Sequence, residues 1–158
     1  MPPKVAFFGW EASWGKILTL EQLQRREYSL ANRCFLCLFE VETVDYLLLH
    51  CVKTRALWNL LFFLFGMAWV LSGSIKETLL GWYEAFVGKT CKKAWLMTPL
   101  CIFWSVSKER NLLAFRSEEF SLQRLKYSFV CNFWSWVRVF IVLSPSSLVS
   151  FFEWLGSK

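Results

Sequence analysis

Residues Cys34 to Cys51 read CFLCLFEVETVDYLLLHC and hold three of the six cysteines and the only histidine of the chain. Cys34 and Cys37 form a Cys-x-x-Cys pair, a spacing that lets two thiolates reach one ion from a tight turn. Tetrahedral structural zinc sites then take a second pair of Cys or His ligands from further along the chain. The second half here is YLLLHC, residues 46–51, spaced so that a helix presents position 46 while its end presents Cys51. This reading makes the stretch a small irregular knuckle that opens into a helix.

The residue at position 46 is the difficulty. Tyr46 is a phenol with an ordinary pKa near ~10, so it keeps its proton at neutral pH and is a poor partner for zinc beside thiolates. His50 lies one α-helical turn beyond Tyr46 on the same face, which makes it the candidate replacement ligand. The alternative is that Cys34, Cys37 and Cys51 are reduced and buried beside Leu47 and Leu48, with His50 at the surface.

Working outward, the 158 residues are 56% apolar and 19% aromatic, with ten tryptophans. A disordered tail is excluded, because there is ample apolar surface to offset the entropy of ordering. The longest apolar run, Trp58 to Leu71, falls short of the roughly 20 residues a spanning helix needs, so it reads as a buried helix followed by a turn and not as a membrane segment. The start, MPPKVAFFGWEASWGK, lacks the basic and apolar regions of a secretory signal. An intracellular, reducing compartment is expected, in which Cys91, Cys101 and Cys131 are small core residues.

Local signals predict a mainly α fold, with the knuckle followed by a helical bundle of at least four helices. Thr19 and Gln22 have capping-box spacing for a short helix, and Ser74 with Glu77 repeats it for a helix to about Phe86 that buries Leu79, Trp82, Tyr83 and Phe86. Between them Leu57, Leu61 and Phe65 mark a helix from Thr54 to about Phe65. KVAFFGWEASW has no clean period. Pro99 either kinks one long helix or occupies the first position of a new one capped by Thr98, and the second is preferred because that position needs no amide. Ser121 caps a last long helix carrying Leu125, Phe129, Phe133 and Trp136, and the tail from Ser144 reads as a loop and a frayed turn.

Asp45 is the only aspartate. Two-metal polymerases and nucleases need clustered carboxylates, which the scattered glutamates do not supply. No glycine-rich phosphate loop is present, and Cys51 lies roughly 100° around a helix from His50, unsuited to a Cys-His pair. The chain is expected not to be an enzyme.

PPKVAFFGWEASWGKILTLEQLQRRE, NRCFLC, ETVDYLLLHC and ALW, in that order, resemble the reverse transcriptase zinc-binding domain at the C-terminal end of plant LINE-type non-LTR retrotransposon polyproteins. The later FWSVSKERNLLAF resembles the W-K-E-R-N segment that follows that domain, with Ser107 where an aromatic is usual. The resemblance implies zinc ligands at Cys34, Cys37 and Cys51, with a histidine replaced by Tyr46. It also implies a domain over residues 1–70 whose usual start is cut off, a helical region over 71–158, and a reverse transcriptase as the accompanying module. The family's role of helping the polymerase engage RNA or DNA fits the net charge of +6. Arg25, Arg26, Lys92, Lys93, Lys108, Arg110 and Arg116 are the candidate phosphate contacts.

Three readings compete, and the first is the expected one: a retroelement-derived, non-catalytic module binding zinc and nucleic acid, in which the missing histidine marks a degenerate copy; a helical interaction module lacking its reverse transcriptase; and a membrane-associated helical protein, against which no membrane partner is expected.

Overall fold

The computed structural model describes residues 3–15, 19, 32–85, 88–89, 91–116, 118–140 and 147–156. The described residues are mainly helical and contain no strand, and the cysteine segment precedes the long helices as expected. The helices are α1 (Pro3–Ser13), a π-helical turn at Tyr46–His50, α2 (Val52–Phe65), α3 (Ile75–Glu84), α4 (Lys92–Arg116), α5 (Leu122–Phe140) and α6 (Leu148–Gly156). The helix expected after Thr19 lies outside the described residues. Among them, no helix is long and apolar enough to cross a membrane.

Helix α4 is the spine, with α5 and α1 against it and α2 beside it. One buried cluster runs from Val5 through Trp58, Trp82 and Phe103 to Phe151 and Leu155. Its centre is a tryptophan pair: the rings of Trp82 on α3 and Trp95 on α4 stack at 3.8 Å and 2°. Each indole N–H donates to the other residue's carbonyl, at 2.7 Å from Trp82 and 3.0 Å from Trp95. Trp58 closes edge-on over Trp82 at 5.5 Å. The indole N–H groups of Trp58, Trp82 and Trp95 are all satisfied, so these large rings fill the centre without orphaned donors.

Four expectations change at this level. Helix α1 had no readable period because its inner row, Val5, Gly9 and Ala12, is small while Phe7 faces out. Small residues bring α1 close to α4: a Cβ on Gly9 would meet Leu100 Cδ2 at 2.1 Å. Pro99 does not begin a helix but lies inside the 25-residue α4. The carbonyl it strands four residues back, Trp95 O, accepts from Thr98 Oγ1 at 2.7 Å and from Trp82 Nε1, so the usual interior cost of proline is partly offset. Tyr83 is exposed, because α3 turns only its Ile75, Thr78 and Trp82 row inward. The tail forms α6, whose Phe151 meets Phe133 edge-on at 5.4 Å.

Other local signals hold. Ser74 accepts from the Glu77 amide and Ser121 from the Arg124 amide, both at 3.2 Å. Helix α2 ends at Gly66, whose left-handed φ of 62° lets Met67 N reach Phe62 O at 2.9 Å, a closure that glycine adopts without a Cβ penalty.

Candidate metal centre

The loop that carries Cys34 and Cys37 folds on itself. Cys34 N donates to Glu40 O and Leu38 N to Cys34 O, both at 2.8 Å. Leu38 adopts a φ of 64°, a left-handed conformation unusual for a branched side chain. The polypeptide then enters its helical turn at Thr43, whose Oγ1 accepts from Tyr46 N at 3.0 Å, the work of an N-cap.

The turn from Tyr46 to Cys51 is not α-helical. Cys51 N bonds to Tyr46 O at 2.7 Å, an i to i+5 closure. Tyr46 and Cys51 nevertheless face the same loop: the Cys51 sulfur and the Tyr46 hydroxyl both lie beside the Cys37 sulfur. The His50 Nε2 lies 3.2 Å from Gly73 O. It lies outside the three-thiol cluster, so the expected replacement ligand is not brought to the site. The turn is secured by α2: Thr54 Oγ1 donates to Leu47 O at 2.6 Å and Trp58 Nε1 to Leu48 O at 2.9 Å. Asp45 accepts from Ile75 N at 3.0 Å, so the lone aspartate holds α3 in place.

The sulfurs of Cys34, Cys37 and Cys51 all lie within 4.8 Å of one another, and all three residues are buried. Cys34 Sγ donates to Cys51 Sγ at 3.8 Å. A tetrahedral ion with bonds to sulfur of ~2.3 Å has sulfurs about 3.8 Å apart, so this edge fits zinc. The Tyr46 hydroxyl reaches the same point, 3.1 Å from Cys37 Sγ. Sequence reasoning expected the phenol to leave the site incomplete, yet its oxygen stands beside the sulfurs.

The electrostatics are those of thiols crowded together. The Cys51 thiol is pulled down to about 6, chiefly because its sulfur accepts the Cys34 hydrogen, with the Thr54 and Lys53 amides at the start of α2 adding to it against burial. The same bond, then burial, pushes Cys34 up. Burial, then the contact with Cys37, pushes the Tyr46 phenol up. Cys101 is pushed up by burial in the core, and Cys91 is buried, as core thiols should be. Cys131 is only half-buried.

A buried ion pair ties the loop to the spine. Arg110 donates to Glu42 Oε1 through Nη2 at 2.9 Å and Nε at 3.3 Å. The second carboxylate oxygen accepts from Phe35 N at 3.0 Å, and the guanidinium lies 5.0 Å over the Phe35 ring. Arg110 is thus removed from the set of candidate phosphate contacts: it is buried and occupied. Lys92 Nζ donates to Tyr83 O and Ala85 O, at 3.0 and 2.7 Å, capping α3. Lys93, Lys108 and Arg116 are exposed on α4. Arg25 and Arg26 lie outside the described residues. The Glu42 anchor was not singled out from sequence. Its signal is the Glu five residues after Cys37, which only the fold pairs with an arginine 68 residues away.

The model of the family described as zinc-binding in reverse transcriptase matches residues 1–58, which include the three cysteines and Tyr46. No curated protein and no solved structure matches the chain. The match and the thiol cluster together support a reverse transcriptase zinc-binding domain in the N-terminal part of the chain.

Proposed function

We propose that the chain is an accessory module of a retroelement reverse transcriptase, of the plant LINE type that its motif order resembles, which holds a structural zinc ion and engages RNA or DNA without a catalytic centre of its own. The convergence of three buried thiols inside the family-matched segment carries the reading. Cys34, Cys37 and Cys51 would hold the ion, which would supply folding free energy by fixing the loop to the start of α2. Exposed Lys93, Lys108 and Arg116 offer phosphate contacts on α4, where binding would be salt-sensitive and largely independent of sequence. All the cysteines are free thiols, which suits a reducing intracellular compartment.

The test is metal analysis of chain purified under reducing conditions, with nucleic-acid binding measured across salt. The expected result is about one zinc per chain, lost in Cys34→Ser, and an affinity for single-stranded RNA or DNA that falls steeply with salt. Metal-free protein that gains no stability from added zinc would overturn the reading.

A second reading, a helical interaction module whose partner is the reverse transcriptase, is favoured by the exposed rings of Phe7, Trp14, Phe39 and Phe63. It predicts association that persists at high salt.

A further inference from the structure

We infer that the phenolic oxygen of Tyr46 is the fourth donor of the thiol centre, so that the site takes a divalent ion of zinc's class through three sulfurs and one phenolate oxygen. This rests on the proposed zinc reading and deepens it, because the departure at position 46 becomes a ligand exchange instead of a loss.

Position comes first. The backbone bond from Cys51 N to Tyr46 O ties these two residues together, and the side chains of both reach the cluster. The Tyr46 hydroxyl is 3.1 Å from Cys37 Sγ, while Cys37 belongs to the same three-sulfur cluster as Cys34 and Cys51. The phenol ring is half-buried and its backbone is fixed by Thr43, so the oxygen is delivered by a held side chain. The histidine next in line is directed to Gly73 O. Among the described residues no His, Asp or Glu joins the cluster, which leaves the phenol as the oxygen or nitrogen donor in reach.

Chemistry comes second. In the metal-free chain the phenol keeps its proton and shares a hydrogen bond with the Cys37 sulfur. Coordination removes the objection raised by a free phenol, since water bound to zinc loses its proton near pH ~7 instead of ~15.7. A phenol, ordinarily at ~10, lies well below water, and the burial that pushes Tyr46 up is opposed by the charge of the ion itself. As the oxygen–metal bond forms, the O–H bond breaks and the proton leaves to solvent, together with those of the thiols. Oxygen donors are within zinc's ordinary range of ligands, at ~2.0–2.2 Å.

The test uses the full reduced chain, stripped of metal by a chelator and titrated with Co(II) and then with zinc in competition. Three proteins are compared: the parent, Tyr46→Phe and Tyr46→His. The expected result for the parent is four-coordinate visible bands and a near-ultraviolet tyrosinate difference signal that saturates with the metal. Tyr46→Phe keeps the ring but loses the tyrosinate signal and at least ~10-fold in affinity, because loss of an outer-shell partner alone costs 10–100-fold. Tyr46→His restores tight binding with an altered spectrum. Equal affinity and equal spectra in the parent and Tyr46→Phe would overturn this inference while leaving the three-thiol site standing. Absence of binding in the parent and in Tyr46→His alike would overturn the zinc reading itself.

Discussion

Replacing Arg110 alone should destabilise the protein more than replacing Arg110 and Glu42 together. Glu42 is fully buried and Arg110 nearly so, and their bonds at 2.9 and 3.3 Å join the cysteine loop to α4. Arg110→Met keeps an apolar stem over Phe35 but leaves the carboxylate buried with its arginine gone. Breaking such a pair costs about 3–5 kcal/mol, against a total stability of roughly 5–15 kcal/mol for a domain. At about 2–4 °C per kcal/mol for a chain of this size, the melting temperature should fall by on the order of 10 °C. Glu42→Gln added to Arg110→Met removes the buried charge and keeps an acceptor for Phe35 N. The double variant should therefore be more stable than Arg110→Met by about 1–3 kcal/mol. Urea unfolding followed by tryptophan fluorescence under reducing conditions, with metal absent, measures all of these. If the two single costs simply add in the double variant, the pair is not coupled and the proposed fastening of the loop is wrong.

Two local predictions accompany it. Leu38→Gly should raise the urea midpoint by the equivalent of about 0.5–1 kcal/mol, since the left-handed φ of 64° costs a leucine ~1–2 kcal/mol and glycine loses part of that gain through its freer unfolded chain. Thr98→Val should cost only about 1 kcal/mol, read as a fall of ~2–4 °C in melting temperature, because Trp95 O keeps the Trp82 indole as its second donor.

What the sequence disclosed was what local chemistry determines. Ser74 and Ser121 announce helix starts because a side-chain oxygen three residues before an amide is a complete local interaction. The Cys-x-x-Cys turn and the convergence of Cys51 were legible for the same reason. Helix α1 was hidden because its contact row is small residues, so apolar periodicity pointed to the rings it exposes. Helix α6 was hidden because its burial comes from Phe133 and other distant residues. At Pro99 the error was to count only the missing amide, when the stranded carbonyl had two donors waiting, one of them on another helix. His50 was misplaced because its ring lies beside Gly73 O, a contact 23 residues away that no propensity encodes at YLLLH.

The segment Lys108-Glu109-Arg110-Asn111 lies beyond the family match and yet explains why such a helix would accompany a cysteine loop. Adjacent residues on a helix point roughly 100° apart, so Glu109 and Arg110 serve different neighbours. Arg110 takes the loop through Glu42. Glu109 is buried and receives Arg124 of α5 through two nitrogens, with Nε at 3.1 Å. One dipeptide thus joins the candidate metal loop to the spine and the spine to the helix beyond. Each charge of the dipeptide has its partner on a different element, so substituting either residue removes a tie between elements. That mutual dependence accounts physically for the spacing of two motifs that share no contact in sequence. The cysteine loop is thereby fastened at two places, by Glu42 to Arg110 of α4 and by Cys51 at the start of α2.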